Sequence, residues 1–169
     1  MIESIFKSQT RQKLLIKFFI NIANTGYLNQ LADEFSESTN SVRKELNNLS
    51  KANYLIRESV KNKVIYRANQ NHPLFNDLQN IVKKYLGIEH LVEAVLERIG
   101  TVEEIYLLGD LARGISSDQI DIMIIGKILN HEYIADLEKK LEKLLNKKVV
   151  IITSSTSRLK INKLLVFSS

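Results

Sequence analysis

The first half of this sequence repeats one pattern three times and then changes to another. Apolar residues recur at helical spacing over residues 14–22, 28–35 and 42–49, which predicts three amphipathic helices. Two β-like runs follow at residues 54–58 and 64–67, and their composition is typical of short strands. A chain with this order of patterns is constrained to three packed helices followed by a hairpin.

Short polar segments mark where these elements begin and end. Ser8 or Thr10 can cap the first helix, and residues 36–38 predict a tight turn before a third helix capped by Thr39. Between the two β-like runs, the segment Lys61-Asn62-Lys63 is centred on an asparagine, a residue that suits hairpin turns. Helix, turn, helix and hairpin therefore follow one another directly.

Two short helices joined by a three-residue turn and followed by a hairpin form the pattern of a winged helix-turn-helix. In that motif the second helix enters the DNA major groove. Here the reading helix is predicted over residues 39–52 and the wing over residues 54–67. Arginine suits guanine, asparagine suits adenine, and lysine or serine suits phosphates. The candidate DNA-binding residues are Thr39, Asn40, Ser41, Arg43, Lys44, Asn47, Lys61, Asn62 and Lys63.

Positive charge is concentrated in the same half of the chain. Residues 1–87 carry 13 Lys/Arg against 7 Asp/Glu, whereas residues 88–169 carry 11 against 12. Since polyanions bind where positive charge accumulates, double-stranded DNA is the expected partner of the first half. The alternative is a protein-interaction module without DNA affinity, in which these cations only form a solvated face.

Residues 8–68 resemble the winged-helix transcription regulators of the arsenic-repressor and multiple-antibiotic-resistance-repressor type. The resemblance is carried by the segments YLNQLADEF, SES, TNSVRKELNNLSKANYL and IRESVKNKVIYRA. It implies a sequence-specific transcriptional regulator that acts as a homodimer on a palindromic site. A connector helix around residues 74–99 is the expected dimer interface.

The second half of the chain has short apolar runs typical of buried strands. Runs at residues 105–108, 120–125, 149–153 and 164–167 predict four strands. An amphipathic helix is predicted over residues 132–145. These elements indicate a small α/β domain built around one sheet.

Residues 105–126, with the sequence IYLLGDLARGISSDQIDIMIIG, resemble the minimal nucleotidyltransferase family. In that family, backbone amides at a glycine turn hold phosphates, while carboxylates on the next strand hold two magnesium ions. Gly109 matches the family glycine, and residues 112–114 match its Ala-Arg-Gly helix start. The corresponding pocket in this chain consists of Gly109, Asp110, Arg113, Gln119 and Asp121.

This chain departs from the nucleotidyltransferase pattern at the metal-binding positions. Asp110 stands where the family has serine, and Gln119-Ile120-Asp121 keeps only the second carboxylate of the pair. The run at residues 149–153 has no acidic residue, although a third ligand is expected there. We therefore expect an inactive domain with no catalytic residue and no metal or other cofactor. A nucleotidyltransferase enzyme targeted by its winged helix remains the alternative, with Asp110 as a substitute ligand.

A regulatory role for this pocket is a hypothesis that follows from the same residues. A small molecule or nucleotide bound near Gly109, Arg113 and Asp121 would act as an effector of the DNA-binding half. The three histidines, at positions 72, 90 and 131, lack the spacing of metal ligands. No other cofactor site is predicted.

Composition excludes several other classes of protein. With no cysteine, the chain has no disulfide framework, thiol nucleophile or cysteine zinc site. No apolar run approaches the roughly 18 residues that span a bilayer, and the first residues lack a signal-peptide layout. We expect a cytoplasmic protein without a membrane partner.

Together these patterns predict an α+β chain in three parts. A winged helix is expected over residues 1–70 and a helical connector over residues 71–100. A small α/β nucleotidyltransferase-like domain is expected over residues 101–169.

Overall fold

The computed structural model describes residues 6–169 of the chain, and these fall into two compact units. The first unit ends at Val82, and the second comprises Lys83–Ser169. Both mix helices with antiparallel strands, so the expected α+β class is confirmed. Within the described residues, no helix is both long enough and apolar enough to cross a bilayer.

The first unit contains the predicted helices and hairpin, with one additional strand. Its sheet has the order β1-β3-β2, with both pairings antiparallel. The elements of this unit are α1 (Gln9–Phe19), β1 (Thr25–Tyr27), α2 (Leu28–Phe35), α3 (Thr39–Lys51), β2 (Leu55–Val60), β3 (Lys63–Ala68) and most of α4 (Phe75–Tyr85).

Strand β1 was not predicted, because three residues are too few to show an alternating pattern. It forms by pairing with β3, with Thr25 opposite Arg67 and Tyr27 opposite Ile65. The pairing places Tyr27 beside the hairpin. Tyr27, which immediately precedes α2, is thereby held against β3.

The core of the first unit is built from the apolar faces that the sequence predicts. Leu14 and Phe18 of α1, Leu31 of α2, and Val42 and Leu46 of α3 are all 0% exposed. Because these faces point inward, the opposite face of α3 is left to the solvent. Full burial of a side chain of this size contributes about 1.5–3 kcal/mol.

Ion pairs reinforce the contacts of α1 with the segments that follow it. The pairs are Arg11–Glu45, Lys13–Glu37 and Lys17–Glu34. The Lys13 ammonium donates a hydrogen bond to Glu37 at 2.8 Å and holds the pKa of that carboxyl below its usual range. The positive charges of these three side chains are therefore balanced by carboxylates within the unit.

Two details of the helix starts follow from hydroxyl geometry. Ser8 caps α1, as predicted, and its hydroxyl oxygen accepts a hydrogen bond from the Arg11 amide. The cap of α3 is Ser38, so the expected cap at Thr39 is wrong. Ser38 has the extended backbone that an N-cap requires and accepts from the Ser41 amide, whereas Thr39 is already helical.

A two-residue turn joins β2 to β3. Lys61 and Asn62 both have positive φ, at 46° and 65°, as a type I′ hairpin turn requires. Lys63 already belongs to β3, so the strand backbone and not the turn sets the direction of its side chain.

The second unit is a four-stranded mixed sheet with helices. Its strand order is β6-β5-β4-β7, in which β5 and β6 are parallel and the other neighbours are antiparallel. Its elements are α5 (Ile88–Arg98), β4 (Gly100–Leu108), α6 (Gly109–Ala112), β5 (Gln119–Leu129), a 3₁₀ helix (His131–Tyr133), α7 (Ile134–Leu145), β6 (Lys148–Ser154) and β7 (Lys163–Ser168).

Both faces of this sheet carry buried side chains. Leu107 and its partner Ile122 are 0% exposed on one face. Tyr106, Met123 and Ile125 form a separate buried cluster, which alternation along the strands places on the other face. The strands consequently read as nearly continuous apolar runs in the sequence.

The segment at residues 71–100, expected as a helical connector, is largely helical but divided. It contains α4 and α5, which are interrupted at Gly87, where φ is +71° and a Cβ atom would lie 2.4 Å from Leu145 Cδ2. The division between units falls within α4, so the expected boundaries after residues 70 and 100 differ from the observed one. The segment expected as the dimer interface, residues 74–99, therefore forms two helices.

Candidate functional site

An open cleft of about 910 Å³ lies between α3 and the hairpin of the first unit. Its lining contains three cationic side chains and no acidic one. The lining residues are Tyr27, Leu28, Asn29, Arg43, Asn47, Arg57, Lys63, Val64 and Tyr66. With this composition the cleft is electropositive and has amide and phenol groups for hydrogen bonding.

Helix α3 supplies one wall of the cleft. Arg43 and Asn47 are four residues apart and so lie on one helix face. Both are exposed, because the opposite face carries the buried Val42 and Leu46. Arg43 Nη1 also donates a hydrogen bond to Asn40 Oδ1 at 3.0 Å, which restrains the direction of the guanidinium.

The hairpin supplies the other cations. Arg57 of β2 lies opposite Tyr66 of β3, with its guanidinium carbon 5.9 Å from the centre of the Tyr66 ring. The Lys63 ammonium lies 4.4 Å from the centre of the Tyr27 ring. Both distances fall within the range of cation–π attraction.

The cleft cations are not neutralised by neighbouring carboxylates. Within the described residues, none of Arg43, Arg57 and Lys63 belongs to an ion pair. The single acidic residue of the hairpin, Glu58, is paired with Arg67 at 2.7 Å. The positive charge of the cleft is thus available to an external anion.

The structure brings together only part of the predicted DNA-binding set. Arg43, Asn47 and Lys63 line the cleft. The remaining predicted residues are not among its lining; they are Thr39, Asn40, Ser41, Lys44, Lys61 and Asn62.

Sequence reasoning missed four polar or aromatic residues of the cleft, namely Tyr27, Asn29, Arg57 and Tyr66. A two-residue turn at residues 61–62 fixes the hairpin register, and that register makes Arg57 and Tyr66 cross-strand partners. This signal was present in the sequence. No sequence signal places Tyr27 and Asn29 there. Tyr27 reaches the cleft through the pairing of β1 with β3, and Asn29 lies two residues further on, in the first turn of α2.

The glycine turn of the second unit brings its predicted pocket residues together. Gly109 has φ of +59° between β4 and α6, and a Cβ atom at this position would lie 3.3 Å from Asp121 Oδ2. Asp121 is on β5, whose residue Ile122 pairs with Leu107 of β4. The turn and the strand carboxylate are therefore adjacent.

The polar groups of this pocket are engaged with one another. Asp110 and Arg113 form an ion pair, and Gln119 Nε2 donates a hydrogen bond to Asp121 Oδ1 at 2.6 Å. In the described part of the chain, no group of three or more His, Cys, Asp or Glu residues is arranged to hold a metal ion. The residues present do not fit the two magnesium ions of the nucleotidyltransferase family.

A smaller cavity of about 500 Å³ in the second unit is lined by residues 103–104, 155–158 and 168–169, together with Ile125. Beside it, the Tyr106 hydroxyl donates a hydrogen bond to Glu104 at 2.9 Å. Burial, followed by this hydrogen bond, raises the pKa of Tyr106. The cavity contains Glu103 and Glu104 against a single arginine, so it is not a basic site.

Comparison with known proteins gives limited similarity. No protein-family model matches the chain, and no curated protein does. A crystal structure of the toxin-antitoxin MntA-HpeT in mutant form is 19% identical, with a TM-score of 0.43, over 48% of this chain and 72% of that one. A crystal structure of a toxin-antitoxin with AMP-PNP is 22% identical, with a TM-score of 0.35, over 38% of this chain and 55% of that one. At these scores, neither similarity assigns an activity to this chain.

Proposed function

We propose that this chain is a cytoplasmic, sequence-specific DNA-binding transcriptional regulator whose first unit is a winged helix-turn-helix. The observation that carries the proposal is the cleft between α3 and the hairpin. It presents Arg43, Arg57 and Lys63 with no acidic residue in its lining. Duplex DNA combines a polyanionic backbone with base edges that side chains can recognise. The α3 wall of the cleft suits the base edges, and the hairpin wall suits the backbone.

In the proposed complex, α3 enters the major groove and reads bases. Arg43 and Asn47 are exposed on one face of that helix, and these residue types pair with guanine and adenine respectively. Asn40 holds the Arg43 guanidinium through the hydrogen bond between their side chains. Its role is thus to orient Arg43 and not to read a base itself.

The hairpin contacts the flanking backbone in this proposal. Arg57 and Lys63 are strand residues facing the cleft, so phosphate contact is assigned to the wing strands as well as to the tip at Lys61. A second copy of the chain would extend the contact over two half-sites of a palindrome. The second unit then serves dimer contact or effector sensing.

The proposal is tested by selecting binding sites from a random duplex library and titrating the selected duplex at several salt concentrations. For the variant Arg43→Ala/Lys44→Ala we expect about a five- to 150-fold loss of affinity for the selected duplex, since a bidentate arginine contact contributes about 1–3 kcal/mol. Affinity for an unrelated duplex should fall less. Fluorescence anisotropy measures both.

A matched control is Lys139→Ala/Lys143→Ala, which removes the same number of cations from exposed positions on α7 of the second unit. It should retain sequence-selective binding. Failure of the selection to enrich any sequence, or equal weak binding by all three proteins, would contradict the proposal. The first unit would then be a protein-interaction module.

A second candidate function is nucleotidyl transfer, and the observation that favours it is the contact between the Gly109 turn and Asp121. Since one carboxylate cannot hold two magnesium ions, we expect no label transfer from radiolabelled nucleoside triphosphates with magnesium and candidate nucleic-acid or protein acceptors. Transfer by the wild-type chain that is lost in Asp121→Ala would reverse the assignment. Asp136→Ala, at an exposed position on α7, is the control for nonspecific loss.

A further inference from the structure

Tyr27 forms part of the cleft wall, although the helix-turn-helix pattern in the sequence does not predict it as a DNA-binding residue. It is the last residue of β1, lies opposite Ile65 of β3, and immediately precedes α2. Its ring is half-buried and lines the cleft. Its position is therefore fixed by the sheet on one side and by the helix start on the other.

The Lys63 ammonium lies 4.4 Å from the centre of this ring. An ammonium over an aromatic face is attracted to it by the quadrupole of the ring. Lys63 is exposed and has no ion pair among the described residues. The ring is thus a specific partner that keeps this flexible side chain directed into the cleft.

We propose that Tyr27 is a positioning residue for DNA binding, which holds the Lys63 ammonium where it meets a backbone phosphate. This inference rests on the proposed function. A lysine side chain loses considerable rotamer entropy when its ammonium is fixed, and the Tyr27 ring reduces that loss before DNA arrives. Arg57 beside Tyr66 repeats the arrangement on the same hairpin.

The placement of the cations also indicates which part of the nucleic acid enters the cleft. Bases stack on free aromatic faces in single-strand binding proteins. Here a cation lies near each tyrosine ring, so the ring faces are not free for base stacking. The cations themselves are the groups that face the nucleic acid, and they bind phosphates. The ligand at this wall is the backbone of the duplex.

The test measures the affinity of the full chain for a labelled mixed-sequence duplex of about 20 base pairs over a range of salt concentrations. The proteins compared are wild type, Tyr27→Phe, Tyr27→Leu, Lys63→Ala and the double variant Tyr27→Leu/Lys63→Ala. Tyr27→Phe keeps the ring face and should bind like wild type. Tyr27→Leu should bind about two- to five-fold more weakly, the loss expected for an exposed cation–π contact.

The salt dependence separates a positioning role from a direct one. Tyr27→Leu keeps the Lys63 charge, so its slope of log affinity against log salt should equal that of wild type. Lys63→Ala should reduce the slope by about 0.9, as expected for one lost phosphate contact. The double variant should bind no more weakly than Lys63→Ala, because the ring acts only through the lysine.

Two results would overturn the positioning role: equal losses for Tyr27→Phe and Tyr27→Leu, or additive losses in the double variant. Amide hydrogen exchange of the β1–β3 pairing shows whether Tyr27→Leu keeps its fold. If it does not, Tyr27→Met, which also lacks an aromatic face, replaces Tyr27→Leu in the same comparison with Lys63→Ala and the double variant. Absence of salt-dependent binding by wild type would instead refute the proposed function itself.

Discussion

A chain carrying Arg43→Ala, Arg57→Ala and Lys63→Ala is expected to lose about two to three orders of magnitude in affinity for the selected duplex at about 0.1 M salt. Each phosphate that a cation neutralises releases condensed counterions, so affinity depends steeply on the number of cations in contact. The three residues line one cleft that contains no acidic side chain. Removing them together leaves no cation in its lining.

The slope of log affinity against log salt distinguishes this effect from a loss of fold. It should fall by about 1.8, because in the proposed complex Arg57 and Lys63 contact phosphates whereas Arg43 reads a base. All three side chains are exposed, so the thermal unfolding of the variant should be close to that of wild type. A full salt slope in the triple variant would show that DNA binds elsewhere on the chain.

A large effect on stability is expected from breaking the ion pair of Lys17 with Glu34. Its ammonium lies 2.6 Å from Glu34 Oε1, and the exposed fractions of the two side chains are only 9% and 16%. Lys17→Met leaves the Glu34 carboxylate largely desolvated without its cation. Removing one partner of a fully buried pair costs about 3–5 kcal/mol, and partial exposure of Glu34 reduces the expected loss to about 2 kcal/mol.

The double variant Lys17→Met/Glu34→Met should recover most of that stability, because it removes the carboxylate that the single change leaves unpaired. Lys13→Met is the matched control, since the Lys13–Glu37 pair is more exposed, at 32% and 20%, and its loss should cost under about 1 kcal/mol. Amide hydrogen exchange in α1 and α2 reports on the first unit alone. Equal destabilisation by Lys17→Met and Lys13→Met would contradict this explanation.

Local sequence signals were sufficient for most of the elements in both units. The predicted order of helices and hairpin agrees with α1 to α3 followed by β2 and β3. The agreement arises because apolar residues recur at helical spacing in the helices and the two β-like runs have the composition of strands. The four predicted strands of the second unit correspond to β4 to β7. Boundaries were less accurate: β5 extends to Leu129, well beyond the predicted residue 125, because its end is set by pairing with β4.

The candidate cleft was only partly predictable for the same reason. Arg43 and Asn47 follow from helical spacing alone, since they lie outside the face that carries the buried Val42 and Leu46. Lys63 was expected at a wing tip, yet its place in β3 brings it to the Tyr27 ring. Strand β1 has only three residues and therefore leaves no periodic signal in the sequence. Its pairing with β3 depends on the tertiary structure.

By itself, the sequence determined the local structure of this protein, its uneven charge, and the absence of acidic residues at position 119 and in the run at residues 149–153. Periodicity, capping residues and composition act over a few neighbouring positions, so they can be read without the fold. Only the tertiary structure decided that Tyr27 and Asn29 join Arg43, Arg57 and Lys63 around one cleft. It also decided that the segment at residues 71–100 is divided between two units. Both outcomes depend on packing between segments that are distant in the chain. A local sequence pattern does not show which distant segment will pack against it.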